Sequence, residues 1–258
     1  MSISQELSKL QDVFKRLSDD KIWIPFADDS AAMHKFLSLI DEVEHSQSWP
    51  STHNQRKGKV YEKLIRVVLD QFQVGETESD FRVGDNQIDH EFRFNDFFVT
   101  HFTQETGQTI ICECKNEKSP VDVTYMSKLI ELCENRKSKL GIFFSIVGLT
   151  GKGWVYAEGK RKKNLLKHGI AIISFTFEEI KQLTKKNFYT LIKEKFEKLV
   201  REVDEELDDI RQYPQEDLYS FNSRLKSTVN ELFRLNLIDD ESRTKILSKI
   251  DKLYAEES

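Results

Sequence analysis

In IICECKNE (residues 110–117) an apolar run passes without a break into a row of functional groups: Glu113, Cys114 and Lys115. The run has the length and composition of a strand. Side chains alternate along a strand, so residues two apart share a face. Ile110, Cys112 and Cys114 then point into the core, while Glu113 and Lys115 point together to the other side. An ion pair on a sheet face can be structural, or it can be half of an active site. The flanking sequence has to separate these.

Upstream of this strand, Val60, Leu64, Val67, Val68 and Phe72 recur at helical spacing and predict a helix over 55–73. Strand-type segments follow at 87–94, 97–102 and 108–114, with turn residues at Asn95-Asp96 and Glu105-Thr106-Gly107. Downstream, Met126, Leu129, Ile130 and Cys133 predict a helix over 121–137. The continuous apolar run 140–148 reads as a strand buried on both faces, as does 169–175. A basic helix over 152–167 lies between them. Thr176 with Glu179 has the pattern of a capping box. The expected class is α/β, with an αβββαβ core and a mixed sheet flanked by helices. Residues 1–50 are expected to be an N-terminal helical segment, 51–186 the α/β domain, and 187–258 a C-terminal helical domain. A polar stretch around Pro50 marks the first boundary. Within the first segment, Leu7, Leu10, Val13, Phe14 and Leu17 predict a helix over 3–18.

Three further features surround Glu113 and Lys115. Asp89 lies in GDNQID (residues 84–89), at the start of the preceding strand. Strands adjacent in sequence tend to be adjacent in space, so this carboxylate can approach Glu113. Glu62 lies in GKVYE (residues 58–62), on the helix that opens the unit. Convergent carboxylates with a lysine suit metal-assisted phosphodiester hydrolysis. Hard oxygen ligands bind Mg²⁺, which polarises the phosphate, and an ammonium orients the attacking water and stabilises developing negative charge.

With these residues in order on these elements, the chain resembles the PD-(D/E)xK nuclease superfamily and is most similar to the Mrr-like restriction endonucleases. The matching pieces are Gly58 to Glu62, Gly84 to Asp89, and Glu113-Cys114-Lys115, followed by a helix and a buried strand; together they span roughly residues 55–185. Where many Mrr-like members carry Gln, Glu113 follows the wider superfamily. The resemblance implies a restriction-endonuclease-like core in which Glu62, Asp89 and Glu113 are metal-associated carboxylates and Lys115 is the catalytic lysine. It also implies Mg²⁺, with Mn²⁺ able to substitute, and hydrolysis of DNA to 5′-phosphate and 3′-hydroxyl ends in restriction or anti-phage defence. A plain hairpin turning at 105–107 would set residue 96 opposite Glu113. Either an extra strand therefore intervenes or Asp96 competes with Asp89. The surrounding pattern favours Asp89, and Asn95-Asp96 reads as a turn. Glu91, on the face of Asp89, reads as a solvated or ion-paired residue before it reads as a ligand.

The net charge of −5 argues against a generic nucleic-acid coat protein, but residues 111–195 carry 17 Lys/Arg against 9 Asp/Glu. The densest run is Lys160, Arg161, Lys162 and Lys163. Taken alone it is a solvated helix face; beside a nuclease-like site, and with Lys152, it is expected to contact phosphate backbone. GLTGKGW (residues 148–154) fails as a Walker A loop, because Ile146 and Gly153 stand where Gly and Ser/Thr are needed. His53, His90 and His101 have no nucleophile in a matching context and read as ordinary polar residues. Three cysteines without a CxxC pair read as reduced, buried thiols of a cytoplasmic protein. No secretory signal is apparent, and no apolar run approaches the roughly 20 residues of a membrane span. The expected partners are DNA and a second copy or another protein held by the C-terminal helices. The competing reading is an inactive nuclease-fold scaffold or DNA-binding module; an RNase or junction-specific nuclease on the same core is a third.

Overall fold

The computed structural model describes residues 18–83, 86–151, 157–212, 226, 229–230, 232–234 and 237–253. The helix expected over 3–18 lies almost wholly outside them, as do Gly84, Asp85, Lys152 and most of 215–236. The chain divides into two compact units, one through Val200 and one from Arg201. The first is α/β, built on a five-stranded mixed sheet with strands in sequence order: β1 (Gly75–Val83), β2 (Asn86–Phe94), β3 (Thr109–Lys115), β4 (Leu140–Ser145) and β5 (Ala171–Thr176). β1, β2 and β3 pair antiparallel, whereas β3, β4 and β5 pair parallel. The parallel half needs helical crossovers. The helix Val123–Arg136 supplies one and Ala157–His168 the other.

Helices before the sheet are α1 (Asp19–Ile22), α2 (Ser30–Ser46) and α3 (Asn54–Leu69). Val60, Tyr61, Leu64, Ile65, Val67 and Val68 of α3 are buried, the amphipathic pattern that the sequence predicts. This helix lies on one face of the sheet: Tyr61 Oη donates to the Ser145 carbonyl at 3.4 Å, and His90 Nε2 donates to the Glu62 carbonyl at 3.0 Å. The segment around Trp23 joins the same layer. Its indole donates to the Val68 carbonyl at 2.8 Å, and backbone bonds tie Ile22 and Ile24 to Gln73 and Gln71. Phe188 packs among Trp23, Phe72, Phe144 and Phe175. Each such buried ring contributes roughly 1.5–3 kcal/mol.

Two expectations about strands are corrected. Residues 97–102 form no strand. Phe98 closes a turn on Asn95, and Thr100 and Thr103 form a reciprocal cap that opens α4 (His101–Thr106). Phe98 and Phe102 are buried four residues apart, at helical spacing, near the Tyr189 ring. The third antiparallel strand is instead β1, GETESDFRV, whose charged residues face water at the sheet edge. Charge suits an edge, because it discourages pairing with another chain. It also hides the strand from a search for apolar alternation.

The helices Val123–Arg136 (α5) and Ala157–His168 (α6) cover the other face. Met126, Leu129 and Cys133 of α5 pack with Ile111, Phe143 and Ile172. After β5 the Thr176–Glu179 capping box opens α7 (Phe177–Lys181), as the sequence predicts. α8 (Phe188–Gln212) follows, and α9 (Asp240–Leu253) lies in the second unit. Among the described residues, no helix is long and apolar enough to cross a membrane.

Gly75 opens β1 where it crosses β2. A Cβ there would run into the Arg93 carbonyl oxygen and lie 2.5 Å from the tip of the Phe92 ring. Gly75→Ala is therefore expected to lower stability by about 1–3 kcal/mol, as overpacking does. Urea unfolding measures it, and an unchanged midpoint would show that this crossing is not tight.

Candidate active site

β2 and β3 bring the sequence-predicted acids together. His90 pairs with Cys112, so the register runs on toward Asp89 beside Glu113. The ladder stops at His90 and Cys112, and the Cys114 amide donates to Asp89 Oδ2 at 2.8 Å instead. A side-chain carboxylate here replaces a backbone acceptor. The long connection from β2 to β3 is accounted for by α4, and no extra strand intervenes. Asp96 sits exposed in the turn beyond Phe94, at the far end of β2 from Asp89.

A change of facing explains how Asp89 reaches the strand end. Ser79 and His90 look toward α3, where Ser79 accepts from Arg66 at 3.0 Å. Two residues on, Phe81 and its partner Ile88 pack instead with the α5 side. Regular alternation would keep Ser79 and Phe81 on one face. Between them Asp80 takes a left-handed backbone with φ 56°. The hairpin thus reverses facing at the level of Asp80 and Asp89.

Glu113 is 2% exposed. Its Oε1 accepts from Lys115 at 3.0 Å and from Lys128 at 3.1 Å, while Oε2 is buried with no hydrogen-bond partner. Lys115 also lies 4.4 Å from the centre of the Tyr125 ring, a cation–π contact. Burial pulls the Lys115 ammonium toward neutrality, but the charge and hydrogen bond of Glu113 outweigh it and raise the pKa. Lys115 is thus a charged donor and not a base at neutral pH. Asp89 responds the other way. Burial first, then the Glu113 charge, push its carboxyl up to about 7 against the donated Cys114 amide.

The acids and lysines line a cleft of about 470 Å³ with Asn54, Gln55, Gly58, Lys59, Gln87 and Asn116. Glu62 is in its wall, held by Lys59 at 2.7 Å; the same ammonium reaches Asp80 at 3.0 Å. His90 supports this wall from behind. Nε2 must donate to the Glu62 carbonyl, so Nδ1 accepts from Ser79 at 2.8 Å. Burial lowers the His90 pKa to about 4 and keeps the ring neutral. Asn116 binds Ser46 Oγ at 3.1 Å and the Lys57 carbonyl at 2.7 Å, anchoring the end of β3 to α2 and α3.

Among the described residues, no three His, Cys, Asp or Glu side chains form a group fit to hold a metal ion. Asp89 and Glu113 come together, whereas Glu62 is engaged by Lys59. Glu91 is buried and clamped by Arg136 through contacts of 2.6 and 2.8 Å, which makes it an ion-paired structural residue. Lys160 donates to Ser127 Oγ on α5, and Arg161, Lys162 and Lys163 lie on the same helix α6; none of the four lines the cleft. The sequence reading missed Lys128, Lys59 and Asn116. Lys128 is legible in retrospect, three residues after Tyr125 and therefore on the same stripe of α5.

Comparison of the chain with known protein families, with curated proteins and with solved structures gave no match.

The raised Asp89 pKa sets a sign for stability against pH. Folding favours the protonated acid, so its contribution is full below the ordinary value of 3.8 and is lost as pH rises through about 7. Asparagine keeps an acceptor for the Cys114 amide and carries no charge. In EDTA, Asp89→Asn should be more stable than wild type at pH 8 by on the order of 3 kcal/mol. The difference should close toward pH 4, as read by urea unfolding across that range. His90 titrates in both proteins, so the difference reports Asp89 together with its effect on Glu113. An equal difference at every pH would mean that Asp89 titrates normally.

Proposed function

We propose that the chain is a metal-dependent endodeoxyribonuclease of restriction-endonuclease type, hydrolysing DNA phosphodiester bonds in restriction or anti-phage defence. The observation that supports this most is the meeting of Asp89, Glu113 and Lys115 at one end of the β2–β3 pair, with one Glu113 oxygen buried and unpartnered. The mixed five-stranded sheet is compatible with such a core. The defence setting rests on the sequence resemblance.

The donor set fits a hard divalent cation. Asp89 and Glu113 repel one another in a buried setting, and a cation would offset that repulsion. Mg²⁺ usually takes only one or two protein carboxylates and keeps its waters, which suits two acids better than a closed cage. When bound there, Mg²⁺ or Mn²⁺ would polarise the phosphate and offset charge on the leaving oxygen. The chain's own groups do the rest. Glu113 and the Tyr125 ring both hold the Lys115 ammonium, and the charged Lys115 donates to the attacking water or the phosphate. Lys59 keeps Glu62 against the wall.

One observation favours a second reading, a nuclease-fold scaffold or DNA-binding module without cleavage. No third acid joins Asp89 and Glu113 among the described residues. In either reading the unit from Arg201 is proposed to hold a second copy or another protein.

Plasmid and oligonucleotide cleavage with Mg²⁺, Mn²⁺ or EDTA tests the proposal. Lys115→Ala, Asp89→Asn and Glu113→Gln should each lose about 10²–10⁴-fold in rate. Independently of activity, millimolar Mn²⁺ should raise the melting temperature of wild type and not that of Glu113→Gln. Cleavage that survives the substitutions or ignores EDTA would overturn the site. DNA binding without cleavage in any arm would favour the scaffold.

A further inference from the structure

Two ammonium groups converge on one oxygen of Glu113. Glu113 is shared between them, and the Asp89 charge acts on Lys115 as well. Three lysines line the cleft, and they are not equivalent. Lys59 bridges Glu62 and Asp80 at 2.7 and 3.0 Å, so two carboxylates hold it. The Lys115 side chain is 19% exposed and is gripped between Glu113 and the Tyr125 ring. Lys128 reaches the cleft from α5; its side chain is 38% exposed, and it shares its carboxylate oxygen with Lys115. The four-carbon stem of a lysine lets the ammonium swing by several ångströms without moving the helix. Losing Lys128 would still leave Glu113 paired with Lys115, so the buried acid keeps a partner. Lys128 is thus the cleft cation that can leave its present contact most readily.

We infer that Lys128 is the phosphate-contacting cation of the cleft, moving from Glu113 Oε1 to a DNA phosphate next to the one attacked. This rests on the nuclease reading. The stripe of α5 that carries Tyr125 and Lys128 then divides the work: Tyr125 immobilises Lys115 for the chemistry, and Lys128 engages substrate. The ligand is the phosphodiester backbone of DNA, recognised by charge and not by base edges.

The test uses the full chain and a fluorescent DNA duplex in EDTA, where binding is measured without turnover. Wild type, Lys128→Met and Lys128→Arg are compared by anisotropy over a salt series of about 50–200 mM. Lys128→Met should weaken binding by about 3–10-fold and reduce the slope of log K against log salt by about 0.9, one phosphate contact. Lys128→Arg should restore both. In the cleavage assay, Lys128→Met should raise KM and leave kcat within about threefold, in contrast to Lys115→Ala. A thermal melt checks that the variants fold, and Lys128→Gln replaces Met should that variant melt early. Unchanged affinity and unchanged salt slope in a folded variant, with wild-type cleavage intact, would overturn the role of Lys128 and leave the nuclease reading standing. Wild type that neither binds nor cuts DNA would overturn both.

Discussion

The bond from the Cys114 amide to Asp89 Oδ2 decides the layout of the cleft, because it joins groups 25 residues apart at the point where β2 and β3 cease to pair. A buried amide has to be satisfied, and a carboxylate satisfies it more strongly than a neutral carbonyl. The consequence is that two acids share one buried place. Glu113 stays buried because two ammonium groups reach it, and Asp89 is driven toward its protonated form. An arrangement built only for stability has little use for that repulsion. A site that receives a cation has a use for it, because the cation offsets the repulsion between the two acids.

The supports of this centre come from widely separated stretches of chain. α3 supplies Glu62 and Lys59 and is braced by neutral His90. α5 supplies Tyr125 and Lys128. Asn116 ties the end of β3 to the Ser46 end of α2, so residues before the α/β core also hold the strand that carries Glu113 and Lys115. On the proposed reading, the chemistry sits where β3 ends and both helical layers contribute.

Much of this was legible because local periodicity and burial agree. β3, β4 and β5 are apolar runs of strand length, α3 and α5 carry apolar stripes, and Thr176 with Glu179 forms the reciprocal cap. The misses have physical causes. β1 is an edge strand whose charge conceals its alternation. The stretch 97–102 looks extended in composition, but Thr100 and Thr103 satisfy its backbone locally and let a helix start. The distance from Asp89 to Glu113 along the chain looked too long for a hairpin because the short helix in the connection was unseen.

The sequence by itself determined that Glu113 and Lys115 share a face, that both cysteines of β3 face the core, and that an acid at position 89 belongs near them. Alternation along a strand and adjacency of neighbouring strands require no more than local rules. Only the tertiary structure decided that Lys128 shares Glu113 and that Glu91 is clamped by Arg136. Partner choice among charged side chains depends on distances of a few ångströms between elements far apart in the chain. Coulomb energy changes steeply over those distances, and no local pattern encodes them.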